Sequence, residues 1–409
     1  MPKKLFMIGG ALLGLGLLLT LVQVFAPYHV PGHGSSGEHH NTRLWFSIQL
    51  ALLVALPLGL GGAYFSAFNH LSGAAWSVTV RRLAESFIWF LPFVLLLLLL
   101  VIGFGMDDVY SHWTKATITG PKADHLIAHK SPWLNKKFFI ILNVSIVLVW
   151  FVLGWILRKR SLNQDADGEY KHTRFMARFS AFFMVVFGLS FSANSWHLSM
   201  SMEPHWFSTM WAVYIFAGLA LTTFAALILW ISYLKANGYY GETVNENHIH
   251  DLGKFLWGHT IFWGYIGISQ FLLIWYAHIP EETTFYHARL YNNNMTYNTW
   301  AWVSLALVIV RFIIPFFAIM SRDAKRNLKR LTIVSGLVIF GQILDMYWIA
   351  YPSMTHGSER AFIMFSWYEL GPLLLTAGAY ILIVGYALSR GSLIPRKDPR
   401  LEQCLHWHQ

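Results

Sequence analysis

The chain has 409 residues, 56% of them apolar and only 12% charged, with a formal net charge of +10. That balance excludes an ordinary soluble domain, and Lys and Arg placed in short loops between apolar runs exclude a nucleic-acid role. A single cysteine, Cys404, excludes an internal disulfide, a cysteine-ligated zinc or iron–sulfur site and a CxxCH haem attachment, so any redox cofactor needs other ligands or another chain.

Ten apolar segments follow in order: Leu5–Phe25, Leu44–Phe68, Ser86–Met106, Phe138–Leu157, Phe175–Ser195, Ser208–Leu234, Phe255–Ile279, Trp300–Met320, Thr332–Tyr351 and Ile363–Leu388. Each approaches or exceeds the ~20 residues that cross a ~30 Å hydrocarbon core, which predicts an all-α polytopic membrane protein with ten transmembrane helices in one integral membrane domain. The first segment follows Lys3 and Lys4 but is too long for a signal peptide and has no clear small-residue cleavage site, so it reads as a retained helix. The seventh is unusual. It carries His259, Ser269, Gln270 and a dense set of Trp and Tyr with no charged residue between Phe255 and Ile279, and Pro280, Glu281 and Glu282 close it. Polar groups facing acyl chains are costly, so these residues point to a protein interior or a wet cavity.

Loop charge sets the orientation. With the N-terminus inside, the cytoplasmic loops and the tail (residues 391–409) hold most of the Lys and Arg, which places both termini in the cytoplasm. The long Asp107–Lys136 loop dissents with its lysines, but long polar loops translocate largely regardless of charge. Histidine collects on the outer side, at His29, His33, His39, His40, His112, His125, His129, His287 and His356. The pair His39–His40 invites a metal reading, yet it lies in a Gly/Ser-rich stretch that reads better as a surface loop. A haem b reading fails on spacing: His197 and His205 fall at or beyond the outer end of the fifth segment, and His70 falls past the second.

Charged residues inside apolar helices are the main functional signal. Arg311, Asp345 and Glu369 lie in the eighth, ninth and tenth segments. By a rise of ~1.5 Å per residue, the two carboxylates sit ~10 Å from the outer interface and Arg311 ~18 Å, within reach of a long side chain. Two readings follow: a static ion pair that fixes packing, or a proton relay opening outward. A second group lies at the inner end, with Glu85 on the third segment and Asp251, Lys254 and His259 sharing a stripe of the seventh. Asp251 and Lys254 also read as a surface ion pair at a helix N-terminus. His259, deeper, has a side chain whose ordinary pKa of about 6.5 suits proton transfer. Between the groups lie only neutral polar residues (Gln270, Ser269, Ser190, Ser192, Asn194 and Asn143), which predicts two half-paths with a gap near mid-membrane. On that view the aromatic run from Trp263 to Tyr276 is packing rather than a cofactor pocket.

Several longer strings carry a resemblance. HLSGAAWSVTVRR (His70–Arg82), KSPWLNKKFF (Lys130–Phe139), MEPHWFSTMWAVYIFAG (Met202–Gly218), HDLGKFLWGHTIFWGYIGISQFLLIWYAHIPEET (His250–Thr283) and LDMYWIAYP (Leu344–Pro352) together resemble the NrfD/PsrC-like membrane subunits of bacterial alternative complex III. Chain length and the LDMYW string look most like the F subunit. The resemblance implies two four-helix bundles, helices 2–5 and 6–9, with two flanking helices. It implies membership of a quinol:electron-acceptor (cytochrome c or similar) oxidoreductase of the bacterial cytoplasmic membrane. Haem c and iron–sulfur clusters would sit in partner subunits beside a second NrfD-like subunit, and this chain would bind no cofactor of its own beyond a quinone or lipid. For an F-like subunit it further implies a proton-translocation path or a structural role rather than redox chemistry. The chain departs from the pattern at Trp196–His197–Leu198, where the family often has Asp-Trp, and at Ala277–His278, where it tends to have Ala-Asn. Three alternatives stay open: a quinol site near the outer ends of helices 3–6, with His197, Glu203 and His205 taking the quinol protons; a stand-alone ion or solute transporter, against which no middle span is broken by paired Gly/Pro interruptions; and a structural membrane scaffold with closed ion pairs.

Overall fold

The computed structural model describes residues 2–25, 41–121, 123–292, 294–355 and 362–408. The histidines at His29, His33, His39, His40 and His356, together with Lys122 and Arg360, lie outside the described residues. Among the described residues the chain is helical, with no strand beyond an isolated bridge between Tyr291 and Tyr297. Ten spans are long and apolar enough to cross a membrane. They are α1 (Lys3–Phe25), α2 (Thr42–Leu71), α3 (Ala75–Val109), α4 (Lys136–Asp167), α5 (Tyr170–Met202), α6 (Trp211–Ala236), α7 (Glu246–Ala277), α8 (Thr299–Ala318), α9 (Leu328–Met354) and α10 (Trp367–Ser389). The protein is an all-α, multi-pass membrane protein. Such a chain has little choice, because a backbone in hydrocarbon must satisfy its N–H and C=O groups within each helix.

Short polar side chains mark where the helices start. Asn135 accepts from the Phe138 N–H at the head of α4, Asn298 from Ala301 at α8, and Asn327 from Arg330 at α9. α7 begins with a reciprocal cap, Asn245 accepting from the His248 N–H while His248 Nδ1 accepts from the Asn245 N–H. It ends at Ala277, where His278 adopts a left-handed φ of 51° just ahead of Pro280.

Two spans are not plain α-helix. α3 passes through a π-helical turn at Val101–Gly105, and α8 through one at Ile309–Ile313 that carries Arg311. Pro315 explains the second: lacking an N–H, it cannot bond the Arg311 carbonyl four residues back, and the turn widens instead.

Burial separates the helices. In their most apolar windows, 94% of α2 is buried against 17% of α1 and of α8, so α2 is central and the other two peripheral. α2 packs on α3, α4, α5, α6, α9 and α10; α6 packs on α5, α7 and α9; α8 sits between α7 and α9. α1 lies antiparallel along α10, and glycines permit the approach. A Cβ at Gly16 would sit 2.2 Å from the Leu375 nitrogen, and one at Gly378 2.4 Å from that of Leu13. Close backbone contact at small residues is the usual glue between membrane helices.

The start of α1 and the end of α10 thus share one end of the molecule, termed the terminal end. There the C-terminal tail folds back. Asp398 accepts from Arg81, Cys404 Sγ contacts the Trp76 carbonyl at 3.2 Å, and Trp407 Nε1 donates to Asp251 at 2.8 Å.

The second helix runs to Leu71, so His70 is part of it and buried, not past its end as the apolar run predicts. Arg43 and Arg289, which lie outside the ten apolar runs, are also buried. Arg43 lies in the first turn of α2, and Arg289 in a short helix, Pro280–Leu290, packed beyond the end of α7.

Candidate functional site

Arg311 and Asp345 meet, as their depths predict. An Arg311 guanidinium nitrogen lies 2.6 Å from Asp345 Oδ2, and both side chains are buried. α6 and α7 supply the remaining donors: the Tyr214 hydroxyl donates to Asp345 Oδ1 at 2.6 Å and Trp263 Nε1 to Oδ2 at 3.3 Å. Arg311 donates in addition to Gln342 Oε1 at 2.5 Å and to the Gly341 carbonyl at 3.3 Å, and its guanidinium stacks 4.8 Å from the Trp263 ring. Thr222 donates to the same Gln342 oxygen at 3.0 Å. Four helices therefore contribute to one buried carboxylate. Such a pair is weak evidence of stability, because desolvation offsets most of the attraction, but removing one partner strands the other's charge.

Glu369 does not join this group. It pairs with Arg43, whose Nε lies 2.8 Å from Oε1, and Tyr351 donates to the same oxygen at 2.9 Å. Its other oxygen accepts from Arg43 at 3.0 Å and from the Ser366 N–H at 2.6 Å, the latter closing a capping box at the head of α10. The expected trio is two separate pairs, because α2 brings Arg43 alongside α10 while α8 faces α9.

The inner group also divides. Glu85 pairs with Arg82 at 3.3 Å and Arg81 at 3.7 Å, and Arg82 reaches Asp165 at 2.9 Å. Asp251 pairs with Lys254 at 2.6 Å and is covered by Trp407. His259 shares α7 with them, but its Nδ1 bonds the Phe255 carbonyl at 2.8 Å and its ring packs on Phe224. Helical back-bonding, rather than the shared stripe, decides where that imidazole points.

The three residues expected on a quinol-facing side go to three places. His197 is buried beside Asn143, 3.1 Å from its Nδ2, and stacks on Phe139. Glu203 takes an Arg289 guanidinium at 2.9 Å. His205 bonds Asp124 at 2.6 Å on the exposed surface. Outside the spans, burial raises the Asp124 carboxyl, but the backbone N–H of Ile127, His205 and the N–H of Leu126 together outweigh it, leaving the group below its ordinary value.

Two aromatics of the run Trp263–Tyr276, Trp263 and Phe271, border open space. A cleft of about 320 Å³ lies among α6, α7, α8, α9 and the helix Pro280–Leu290. Trp263, Gln270 and Phe271 line it from α7, Tyr214 and Trp211 from α6, and Trp348 from α9. Tyr214 and Trp263, the donors to Asp345, are thus also cleft wall. Arg289 fixes the neighbouring short helix by donating to the Trp348 and Ile349 carbonyls at 3.1 and 2.9 Å, which sets Tyr286 and Leu290 at the rim. In the sequence, Pro315 and the aromatic spacing of α7 were the available signals for this site; the parts played by Tyr214 and Arg289 had none.

No group of three or more His, Cys, Asp or Glu side chains that could hold a metal ion occurs among the described residues. No protein-family model matches the chain, and no curated protein matches it.

Proposed function

We propose that the chain is a membrane subunit of a quinol:electron-acceptor oxidoreductase of the alternative complex III type, and that it provides a proton-exchange station at Asp345. The observation that carries this reading is the Arg311–Asp345 pair, buried mid-helix and bonded to Tyr214 and Trp263, which border a cleft. The long strings on helices 2 to 9 that resemble the family support it. The contacts among α2–α5 and among α6–α9 fit the pair of four-helix bundles which that resemblance implies, with α1 and α10 flanking. Haem c, iron–sulfur clusters and a second NrfD-like subunit belong to partner chains in a bacterial cytoplasmic membrane, with both termini inside.

Arg311 pairs with Asp345, and Gln342 gives the guanidinium a second acceptor. Shifting Arg311 toward Gln342 and the Gly341 carbonyl frees Asp345 Oδ2 to take a proton; its return expels that proton. Tyr214, whose hydroxyl donates to Oδ1, connects the carboxylate to the cleft side. Glu369, closed by Arg43, Tyr351 and its own capping box, holds α10 to α2 in this scheme and carries no proton.

The test is proton movement per electron in the assembly purified from its native membrane. Asp345→Asn keeps the shape and removes the titrating group, and is expected to lower the proton-to-electron ratio while electron transfer continues. An unchanged ratio in a folded Asp345→Asn assembly overturns the proposal.

A further inference from the structure

The exposed face of α5 carries positive charge where it is costly. Lys171, Arg174 and Arg178 follow one another at helical spacing over ~10 Å of rise. Phe182, Val185 and Leu189 continue the same stripe, exposed by 56%, 64% and 74%. Arg178 already lies inside the apolar run that begins at Phe175. The first turn of α5 holds no acid, although the helix dipole favours one there.

The cations border a shallow groove of about 470 Å³, lined by Lys171, Arg174, Phe175, Arg178 and Phe179. Arg160 reaches it from α4, its Cζ 4.5 Å from the centre of the Phe175 ring, and Arg174 sits 5.1 Å from that of Tyr170. A guanidinium stacked on a ring keeps its N–H edge open to an anion. The nearby carboxylates are engaged elsewhere: Glu169 takes Lys171 at 2.8 Å, Asp167 takes His172 at 2.8 Å and Asp165 takes Arg82 at 2.9 Å. Among the described residues, Arg160, Arg174 and Arg178 have no carboxylate partner.

We infer that this groove binds the phosphate of an anionic phospholipid from the leaflet at the terminal end, its acyl chains lying along Phe182, Val185 and Leu189. A stripe with cations above and exposed apolar side chains below matches a molecule built in the same order. Snorkelling alone lifts Arg178 toward Arg174, one turn away, and sets like charges together; a shared phosphate, taken bidentately, relieves them. Free phosphate meets the guanidinium groups but leaves the apolar stripe uncovered, and an acidic protein segment does the same. A zwitterionic lipid brings its own ammonium to the cluster, so a headgroup of net negative charge is selected. None of these residues belongs to the Arg311–Asp345 group, and the inference does not rest on proton exchange.

The experiment is native mass spectrometry of the protein purified from its native membrane, delipidated in detergent and offered phosphatidylglycerol or phosphatidylcholine of matched chains. Phosphatidylglycerol is expected to be held about tenfold more tightly, less so as salt is added. A diazirine on its acyl chain is expected to label α5 between Phe182 and Leu189. The triple variant Arg160→Gln/Arg174→Gln/Arg178→Gln should weaken binding about a hundredfold, about fivefold for each cation removed. Replacing the same three by Lys should restore only part of it, because the charge returns without the fork. Equal retention of the two lipids, release by millimolar inorganic phosphate, or unchanged affinity in the folded Gln variant overturns the inference. So does α5 protected from the acyl label in native membranes, the result expected if an acidic protein segment covers the groove. Should the variants fail to fold, lipid selectivity and the position of the label in the unmutated protein decide.

Discussion

Two buried Arg–carboxylate pairs divide this protein's charged interior, and they are built differently. Arg43–Glu369 joins the head of α2 to the head of α10, and its accessory partners are terminal: the Ser366 N–H and hydroxyl, the Met364 carbonyl and Tyr351. Both carboxylate oxygens are engaged by groups that cap a helix or hold a loop. Arg311–Asp345 lies within the helices instead, on a π-helical turn of α8, and its accessory partners Tyr214 and Trp263 border an open cleft. In the proposed scheme the same ion pair serves as a clamp in one place and as an adjustable centre in the other. Surroundings, not residue type, make the difference.

The sharpest way to break this comparison is to remove one carboxylate at a time. Glu369→Gln removes the charge that faces buried Arg43 and is expected to cost about 3–5 kcal/mol, seen as a large drop in the melting temperature of the solubilised assembly. The double variant Arg43→Met/Glu369→Met should recover most of that stability and retain normal proton coupling. At the other pair the matching double variant, Arg311→Met/Asp345→Met, should recover stability but not coupling. If coupling survives there, the two pairs are alike and both are clamps.

A second prediction concerns the other close partner of α10, the helix α1. Because the Gly378 Cα lies against the Leu13 backbone, Gly378→Leu should force α1 from α10 at about 1–3 kcal/mol, the usual cost of overpacking. Cysteine cross-linking between introduced pairs on α1 and α10 should fall in step, with the Arg311 site undisturbed.

The tail yields a pH prediction. Burial raises the Asp398 carboxyl, but Arg81, the Arg400 N–H and Arg400 itself outweigh burial and hold it below its ordinary value. A depressed carboxylate stabilises the docked tail above its unfolded pKa of about 3.9 and loses that contribution as pH falls through the lower folded value. Proteolysis of the tail by an acid-active protease should therefore stay flat from neutral pH to about pH 4 and rise only below it. In Asp398→Asn the tail should be loosened at every pH. The smallest effect belongs to Trp407→Phe, which removes one hydrogen bond to Asp251, about 0.5–1.5 kcal/mol. Faster hydrogen exchange at the head of α7, without a change in melting temperature, is the expected readout.

Particular residues show how far the sequence could be read. All ten spans were legible, since each is an apolar run of membrane-crossing length. Arg311 with Asp345 was legible too, because both are charges at compatible depth in adjacent segments. Glu369 was misassigned to them because its partner, Arg43, lies 326 residues away and looks like a loop charge beside the first residues of α2. The same holds for Glu203, which is held by Arg289 from 86 residues on. His259 stood on the expected stripe, yet a hydrogen bond to its own helix turned it away from Asp251.

By itself, then, the sequence determined the helices, their order and the burial of charge within them. The physical reason is local: in an apolar medium each backbone must bond within its own helix, so a run of apolar residues is enough to specify a span. Which charge meets which, where α7's aromatics leave a cleft, and how the tail covers Asp251 were decided only by tertiary structure. Those outcomes depend on rotations and close approaches between helices far apart in the chain, set by Gly16 against α10, Pro315 beside Arg311 and the short helix pinned by Arg289. Apolar periodicity carries no record of them.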